Sequence, residues 1–313
     1  MELPSGTPLN PFPREDKVRI FAKVMGAELP GHTFKLIPVF EWFRRHREKG
    51  NIDPGAVVEI NSSGGAAIAA VLIGNALGVK VRVSIPDDTP TDKQKIIDYA
   101  GGELSLTKDR PGQPTTVEKL RWMKNRPGHF VFDQYGDRAN PAGHMKVTMP
   151  QIWGQLNSLG AFPGAIVAAK GTTGTVIGAR DFAKLHTKKS RRTLIVGVEC
   201  GDDEPIPAVR SKKRLVPSQI LFDHERGICR VVVARYESYQ LTIQLLRHGL
   251  KLGLSTGAAL CGAIKAVAKI IRDAQASQGS RDSKGYFNVV VISGDIIDPY
   301  LDQLRVILDS HDL

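Results

Sequence analysis

Residues 170–178 read K-G-T-T-G-T-V-I-G and directly follow the apolar run A-I-V-A-A at 165–169. An apolar run, a Gly/Thr-rich turn and a helical pattern in that order predict strand, loop and helix. Such a loop gathers backbone N–H groups and hydroxyls at a helix N-terminus, where the partial positive charge sits, and so forms a cup for a phosphate. The spacing is neither G-x-x-x-x-G-K-[ST] nor G-x-G-x-x-G, so neither ATP nor a dinucleotide is the first expectation. Taken alone, the loop fits a plain tight turn equally well.

Outward from that loop the chain alternates strand and helix. Strands are expected at 57–60, 80–85, 103–106, 129–132, 165–169, 193–198, 230–233 and 287–292. Helices are expected at 64–77, 91–100, 115–124, from about Pro141, from Thr175, at 238–248 and 256–274, and after the last strand. This alternation predicts an α/β protein with parallel sheets covered on both faces. In such sheets ligands sit beyond the carboxyl ends of the strands, and the polar loops follow apolar strands here.

At 313 residues the chain is long enough for two lobes. A hydrophobic fraction of 42% without an apolar run of spanning length predicts a soluble, globular protein with no membrane partner. The opening M-E-L-P-S-G lacks a charged-then-apolar leader pattern, which predicts a cytoplasmic location. Cys200, Cys229 and Cys261 are widely spaced and form no C-x-x-C pair, so they read as small buried hydrophobes, with Cys200 also placed to be reactive. No His/Cys/Glu set has metal-ligand spacing, so no metal is expected.

The net charge of +11 is gathered partly at 44–47, 188–192 and 210–214. These clusters read as solvated helix ends and loops, or as attraction for an anionic cofactor and substrate. Aromatic residues are only 6% and do not interleave with the clusters, which argues against a nucleic-acid partner.

Five segments then line up. They are I-F-A-K-V-M-G-A-E-L-P-G-H-T-F-K at 20–35, E-I-N-S-S-G-G-A-A-I-A at 59–69, G-T-T-G-T at 171–175, L-S-T-G-A-A at 254–259 and V-V-V-I-S-G-D-I-I-D at 289–298. Between them lie D-Q-Y-G-D-R-A-N-P-A-G-H and T-M-P-Q-I-W. In order and spacing the set resembles the fold-type II pyridoxal-phosphate enzymes, nearest the cysteine synthase and cystathionine β-synthase group. The resemblance runs from Thr7 to the last strand.

The resemblance implies two αβα lobes. A large cofactor-binding domain would comprise 1–37 and 149–313, and a small mobile substrate-binding domain 38–148. It implies that Lys35 forms the Schiff base with pyridoxal 5′-phosphate and is the catalytic residue. Read from its neighbours alone, Lys35 fits a snorkelling lysine at the start of a helix over 34–49; desolvation beside Phe34, Leu36 and Ile37 also suits an amine that must lose its charge. Gly171, Thr172, Thr173, Gly174 and Thr175 match the phosphate cup, with Thr173 where the family has glycine. Ser293 matches the serine at the pyridine nitrogen; Asp295 nearby would reverse that inference if it reached the nitrogen. Ser62, Ser63 and Gly64 match the turn that grips the substrate carboxylate, and also fit an N-cap. Gln134 matches a glutamine near the same carboxylate, and His144 a histidine read here as structural.

There are departures. Gly65 and Ala66 stand where the family has the Asn that contacts the cofactor's ring hydroxyl and the Thr that helps bind the carboxylate. Leu36-Ile37 replaces Asp-Arg, and Leu29-Pro30 replaces Asn-Pro. Activity with a remodelled pocket, use of an unusual donor or nucleophile, and retention of the cofactor without turnover all remain open; Lys35 and the phosphate cup favour activity. The implied reaction is β-elimination or β-replacement on O-acetyl- or O-phosphoserine with a sulfide, thiol or amine nucleophile. A serine/threonine dehydratase-type deaminase is the alternative. The substrate is then a small amino acid, and the family implies a homodimer.

Overall fold

A computed structural model describes residues 1–108, 120, 122–124, 126–187, 192–211, 226–271, 279–301 and 304–305. The larger of its two sheets contains β1 (Glu2–Leu3), β2 (Val18–Val24), β7 (Pro163–Ala169), β8 (Leu194–Cys200), β9 (Cys229–Val233) and β10 (Phe287–Ser293), in the order β1-β2-β10-β7-β8-β9. All neighbours are parallel except β1 with β2. The smaller sheet, β5-β4-β3-β6, is parallel throughout and comprises β3 (Val57–Asn61), β4 (Lys80–Pro86), β5 (Glu103–Thr107) and β6 (His129–Phe132).

The helices are α1 (Leu36–Glu48), α2 (Gly65–Leu77), α3 (Thr91–Tyr99), α4 (Ala139–Gly143), α5 (Met149–Ser158), α6 (Gly174–His186), α7 (Arg235–Arg247) and α8 (Leu254–Ile270). A π-helical turn, His144–Thr148, joins α4 to α5.

Strand β10 shows why the large sheet is a middle layer. Every residue of it is buried. Phe287, Val289 and Val291 pack into one core with Leu254, Ala258 and Val267 of α8 and with Ile243 and Leu245 of α7. Val290 and Ile292 point the other way, into a core with Val176, Ala179 and Phe182 of α6 and Met149, Ile152 and Leu156 of α5. Because side chains alternate along a strand, an unbroken apolar run buries both faces at once. The small sheet has its own core, in which Val58, Ile60, Val81, Val83 and Ile85 meet Trp42 and Phe43 of α1 and the alanines of α2.

The strands expected from sequence are all present within a few residues. Two were not foreseen. β1 is only two residues long, and β2, V-R-I-F-A-K-V, carries an arginine and a lysine that blur its pattern. Lys23 nonetheless lies buried in the sheet beside β10. The helix expected from Pro141 starts at Ala139 and is interrupted by the π turn. Most of the helix expected at 115–124, the end of that at 256–274 and nearly all of the last helix lie outside the described residues. So do most of the basic cluster at 188–192 and positions 212–214. Among the described residues, no helix is long and apolar enough to cross a membrane.

Candidate active site

The polar turns singled out in the sequence come from the carboxyl ends of parallel strands in both sheets. The Gly/Thr loop follows β7, Ser293 ends β10, Ser62 and Ser63 follow β3, and Gln134 follows β6. Carboxyl ends are where an open parallel sheet leaves a crevice.

Lys35 takes the N-cap position of α1 and is half-buried. Its Nζ donates to Thr172 Oγ1 at 3.2 Å, 137 residues further along the chain, and lies 5.1 Å from the centre of the Phe34 ring. It does not reach out to solvent as a snorkelling lysine would. Burial lowers its pKa to about 8, against which the Asp295 charge pulls upward.

Thr172 Oγ1 also accepts from Asn140 Nδ2 at 2.8 Å. That same amide nitrogen donates to Gln134 O at 2.7 Å, and Gln134 Nε2 donates to Asn61 O at 2.9 Å. Hydrogen bonds therefore run from Lys35 through the Gly/Thr loop to the carboxyl end of β3, and so join the two sheets. Nothing in the sequence singled out Asn140.

The loop itself has the form of a cradle. Helix α6 has no side-chain cap, although Thr172, Thr173, Gly174, Thr175 and Val176 are all buried. The first-turn N–H groups of a helix have no partner within it, and burying them uncapped calls for a ligand. A Cβ on Gly171 would lie 2.7 Å from Ala208 O, and one on Gly174 would overlap the Asn140 amide. Thr173, in contrast, carries its side chain at φ +63°, a left-handed conformation costly for a β-branched residue. Its Oγ1 donates to Thr172 O at 2.6 Å.

Ser293 is fully buried, and its Oγ accepts from Thr256 Oγ1 of α8 at 3.0 Å. Asp295 is turned elsewhere: Oδ1 accepts from Ser255 Oγ at 3.0 Å and Oδ2 from Tyr300 Oη at 2.7 Å. Burial raises the Asp295 pKa against those two hydrogen bonds and the Lys35 charge. The segment L-S-T-G-A-A thus supplies two hydroxyls to the site, a role its sequence carried only as a motif.

His144 is buried between Thr148 Oγ1 at 3.0 Å and Thr175 Oγ1 at 3.3 Å. Burial, then the nearby Lys35 charge, lowers its pKa to about 3, so it is neutral and braces the loop. Ser62 does not cap α2. The N-cap is Gly64, whose N–H donates to Ser62 Oγ at 3.2 Å, and the first turn of α2 carries no side-chain cap. Across the crevice Arg210 Nη2 donates to Tyr135 Oη at 2.8 Å, and the Arg210 N–H donates to Lys170 O.

A lysine brought to a buried, uncapped helix N-terminus, with a hydroxyl at the end of the central strand, is an arrangement suited to an aldehyde that carries a phosphate. Residues 2–276 match the family model described as pyridoxal-phosphate dependent enzyme. The chain belongs to that family. It is a pyridoxal-phosphate-dependent enzyme, and pyridoxal 5′-phosphate is its cofactor.

The buried, uncapped first turn of α6 fits the phosphate of that cofactor. Among relatives of the family, cysteine synthase B of Escherichia coli strain K12 is 28% identical over 236 residues, spanning 72% of this chain and 73% of that protein. Two solved structures share the fold. A hydrogen sulfide-producing enzyme from Fusobacterium nucleatum superposes with a TM-score of 0.78 at 22% identity, over 92% of this chain and 84% of that one. A cysteine synthase from Entamoeba histolytica gives 0.76 at 22% identity, over 99% and 92%.

Proposed function

We propose that the enzyme catalyses β-replacement on an O-activated serine, O-acetyl- or O-phosphoserine, with a sulfide, thiol or amine nucleophile. The observation that carries this reading is Lys35 Nζ at 3.2 Å from Thr172 Oγ1, at the mouth of the uncapped α6 turn. The relatedness to cysteine synthases supports the reaction class.

When bound, pyridoxal phosphate supplies an electron sink for the charge left at Cα on loss of its proton. Lys35 would hold the cofactor through its aldehyde, and its amine is the base placed to take the Cα proton. An amine with a pKa near 8 is far better matched to that task than an ordinary lysine. Gly171, Thr172, Thr173, Gly174 and Thr175 bind the phosphate with the first N–H groups of α6. Ser293 would set a neutral hydroxyl, rather than a carboxylate, toward the ring nitrogen, which would restrain the sink toward chemistry at Cβ. Ser62, Ser63, Gly64 and the uncapped start of α2 receive the substrate carboxylate, with Gln134 beside them.

Residues 38–148 form the small lobe, which closes on 1–37 plus 149–313 and keeps water off the reacting carbon. The enzyme works as a homodimer in the cytoplasm, and light scattering of the purified holoenzyme tests the oligomer.

The decisive test is borohydride reduction of the holoenzyme followed by peptide mass spectrometry, which places the cofactor on Lys35. A label on another lysine ends the proposal. A donor screen with O-acetylserine and O-phosphoserine, with and without sulfide, then identifies the reaction. The neutral Ser293 environment also favours a second reading, a serine/threonine dehydratase. A keto acid and ammonia formed from serine without any nucleophile would select it.

A further inference from the structure

We propose that Thr33 is a cofactor-positioning residue, its hydroxyl supplying the polar contact that position 65 cannot make. The proposal rests on the reading that Lys35 carries the cofactor.

Thr33 stands where three walls of the site meet. Its Oγ1 accepts from the Lys35 backbone N–H at 3.2 Å. Its backbone forms an antiparallel bridge with Asp295, two residues past Ser293, and the next residue, Phe34, donates its N–H to Gly294 O at 2.8 Å. Its side chain abuts Gly65, the first residue of α2. A Cβ at position 65 would overlap Thr33 Oγ1 and lie 2.7 Å from Thr33 Cβ. Thr33 thus fills the volume into which any side chain from position 65 would grow. Absence of a side chain at 65 and presence of a hydroxyl at 33 are one feature.

Thr33 is itself a buried residue, 4% exposed. Among the described residues the hydroxyl's one hydrogen bond is the one it accepts, so its proton has no acceptor. A buried donor without an acceptor is unfavourable, and its natural acceptor is a group that arrives with the ligand. The cofactor carries an oxygen ortho to the aldehyde carbon that Lys35 attacks. This oxygen is the acceptor we assign to Thr33. A donor there favours the ionised oxygen and so alters the absorption of the lysine-linked cofactor.

The test compares wild type with Thr33→Val, which removes the hydroxyl and keeps the shape, and Thr33→Ser, which keeps the hydroxyl. Cofactor dissociation constants and absorption spectra against pH are read on each purified holoenzyme, with thermal unfolding as a control for folding. Thr33→Val should bind the cofactor about tenfold more weakly and shift absorption to shorter wavelength, with Thr33→Ser close to wild type. A Thr33→Val holoenzyme with unchanged affinity and spectrum overturns the assignment. If Thr33→Val fails to fold, Thr33→Ser decides: wild-type behaviour supports the assignment, and a Val-like loss in a folded Thr33→Ser protein overturns it. A wild type that shows no lysine-linked band overturns the underlying reading and this proposal with it, an outcome distinct from an unaffected Thr33→Val.

Discussion

The pKa of Lys35 gives the sharpest prediction. Only the unprotonated amine attacks an aldehyde. Burial places half-protonation near pH 8 rather than at the ordinary 10.5. At pH 7 the neutral fraction is then about 300-fold larger than for an ordinary lysine, from the 2.5-unit difference. The capture rate for pyridoxal phosphate by cofactor-free enzyme should rise about tenfold per pH unit and level off above about 8. Neither His144, whose pKa lies near 3, nor Tyr300, whose pKa burial pushes above its ordinary value, titrates within that rise. Asp295 opposes the shift by favouring the charged amine, so Asp295→Asn should move the midpoint below 8 and speed capture at pH 7 without raising the plateau. Stopped-flow absorbance between about pH 6.5 and 10, above the second phosphate ionisation, measures both profiles. A wild-type rate still climbing at pH 10, or an Asp295→Asn midpoint that rises, would refute the electrostatic argument.

Other outcomes are equally definite. Burial alone would raise the Glu41 pKa, but hydrogen bonds from Arg44, Lys146 and Arg45 bring it from 4.5 to about 2. The stability it contributes is therefore complete above about pH 4.5 and lost as pH falls toward 2, so Glu41→Gln should flatten the acid limb of a urea-unfolding series. Lys170 and Glu199 are buried with Nζ–Oε1 at 2.6 Å, and Arg230 Nε meets Glu199 Oε2 at 2.7 Å. Lys170→Met should cost about 3 kcal/mol in unfolding experiments by removing one partner of a buried charge. Thr173→Gly should stabilise the fold by about 1 kcal/mol in calorimetry by relieving the left-handed φ. Gly174→Ala should abolish cofactor binding in equilibrium dialysis because its methyl overlaps the Asn140 amide.

The elements legible in advance were those whose burial is set locally. The apolar runs of β7, β8 and β10 and the alanine-rich α2 admit one reading wherever they pack. β2 was missed because Arg19 and Lys23 interrupt its run. Only in the fold does Arg19 find Asp282 at 2.8 Å and Asn288 at 2.8 Å, while Lys23 loses its ordinary pKa to burial. An N-cap at Ser62 or Ser63 was a fair expectation from residue type, but the backbone puts Gly64 there.

By itself, the order of residues determined the α/β class and the Gly/Thr turn after β7, which follow from periodicity and residue type within short windows, where backbone preferences act. That a lysine motif belongs with a late Ser-Gly turn came from the family resemblance and not from local pattern. Only the tertiary structure decided that Lys35 meets Thr172, that Asn140 ties the loop to Gln134, that Asp295 faces Ser255 and Tyr300, and that Thr33 occupies the space beside Gly65. The contacts that assemble the site join segments too far apart in sequence for any local pattern to specify, 137 residues for Lys35 and Thr172 and 40 for Asp295 and Ser255. They exist because strands distant in the chain are neighbours in the sheet and end at the same edge.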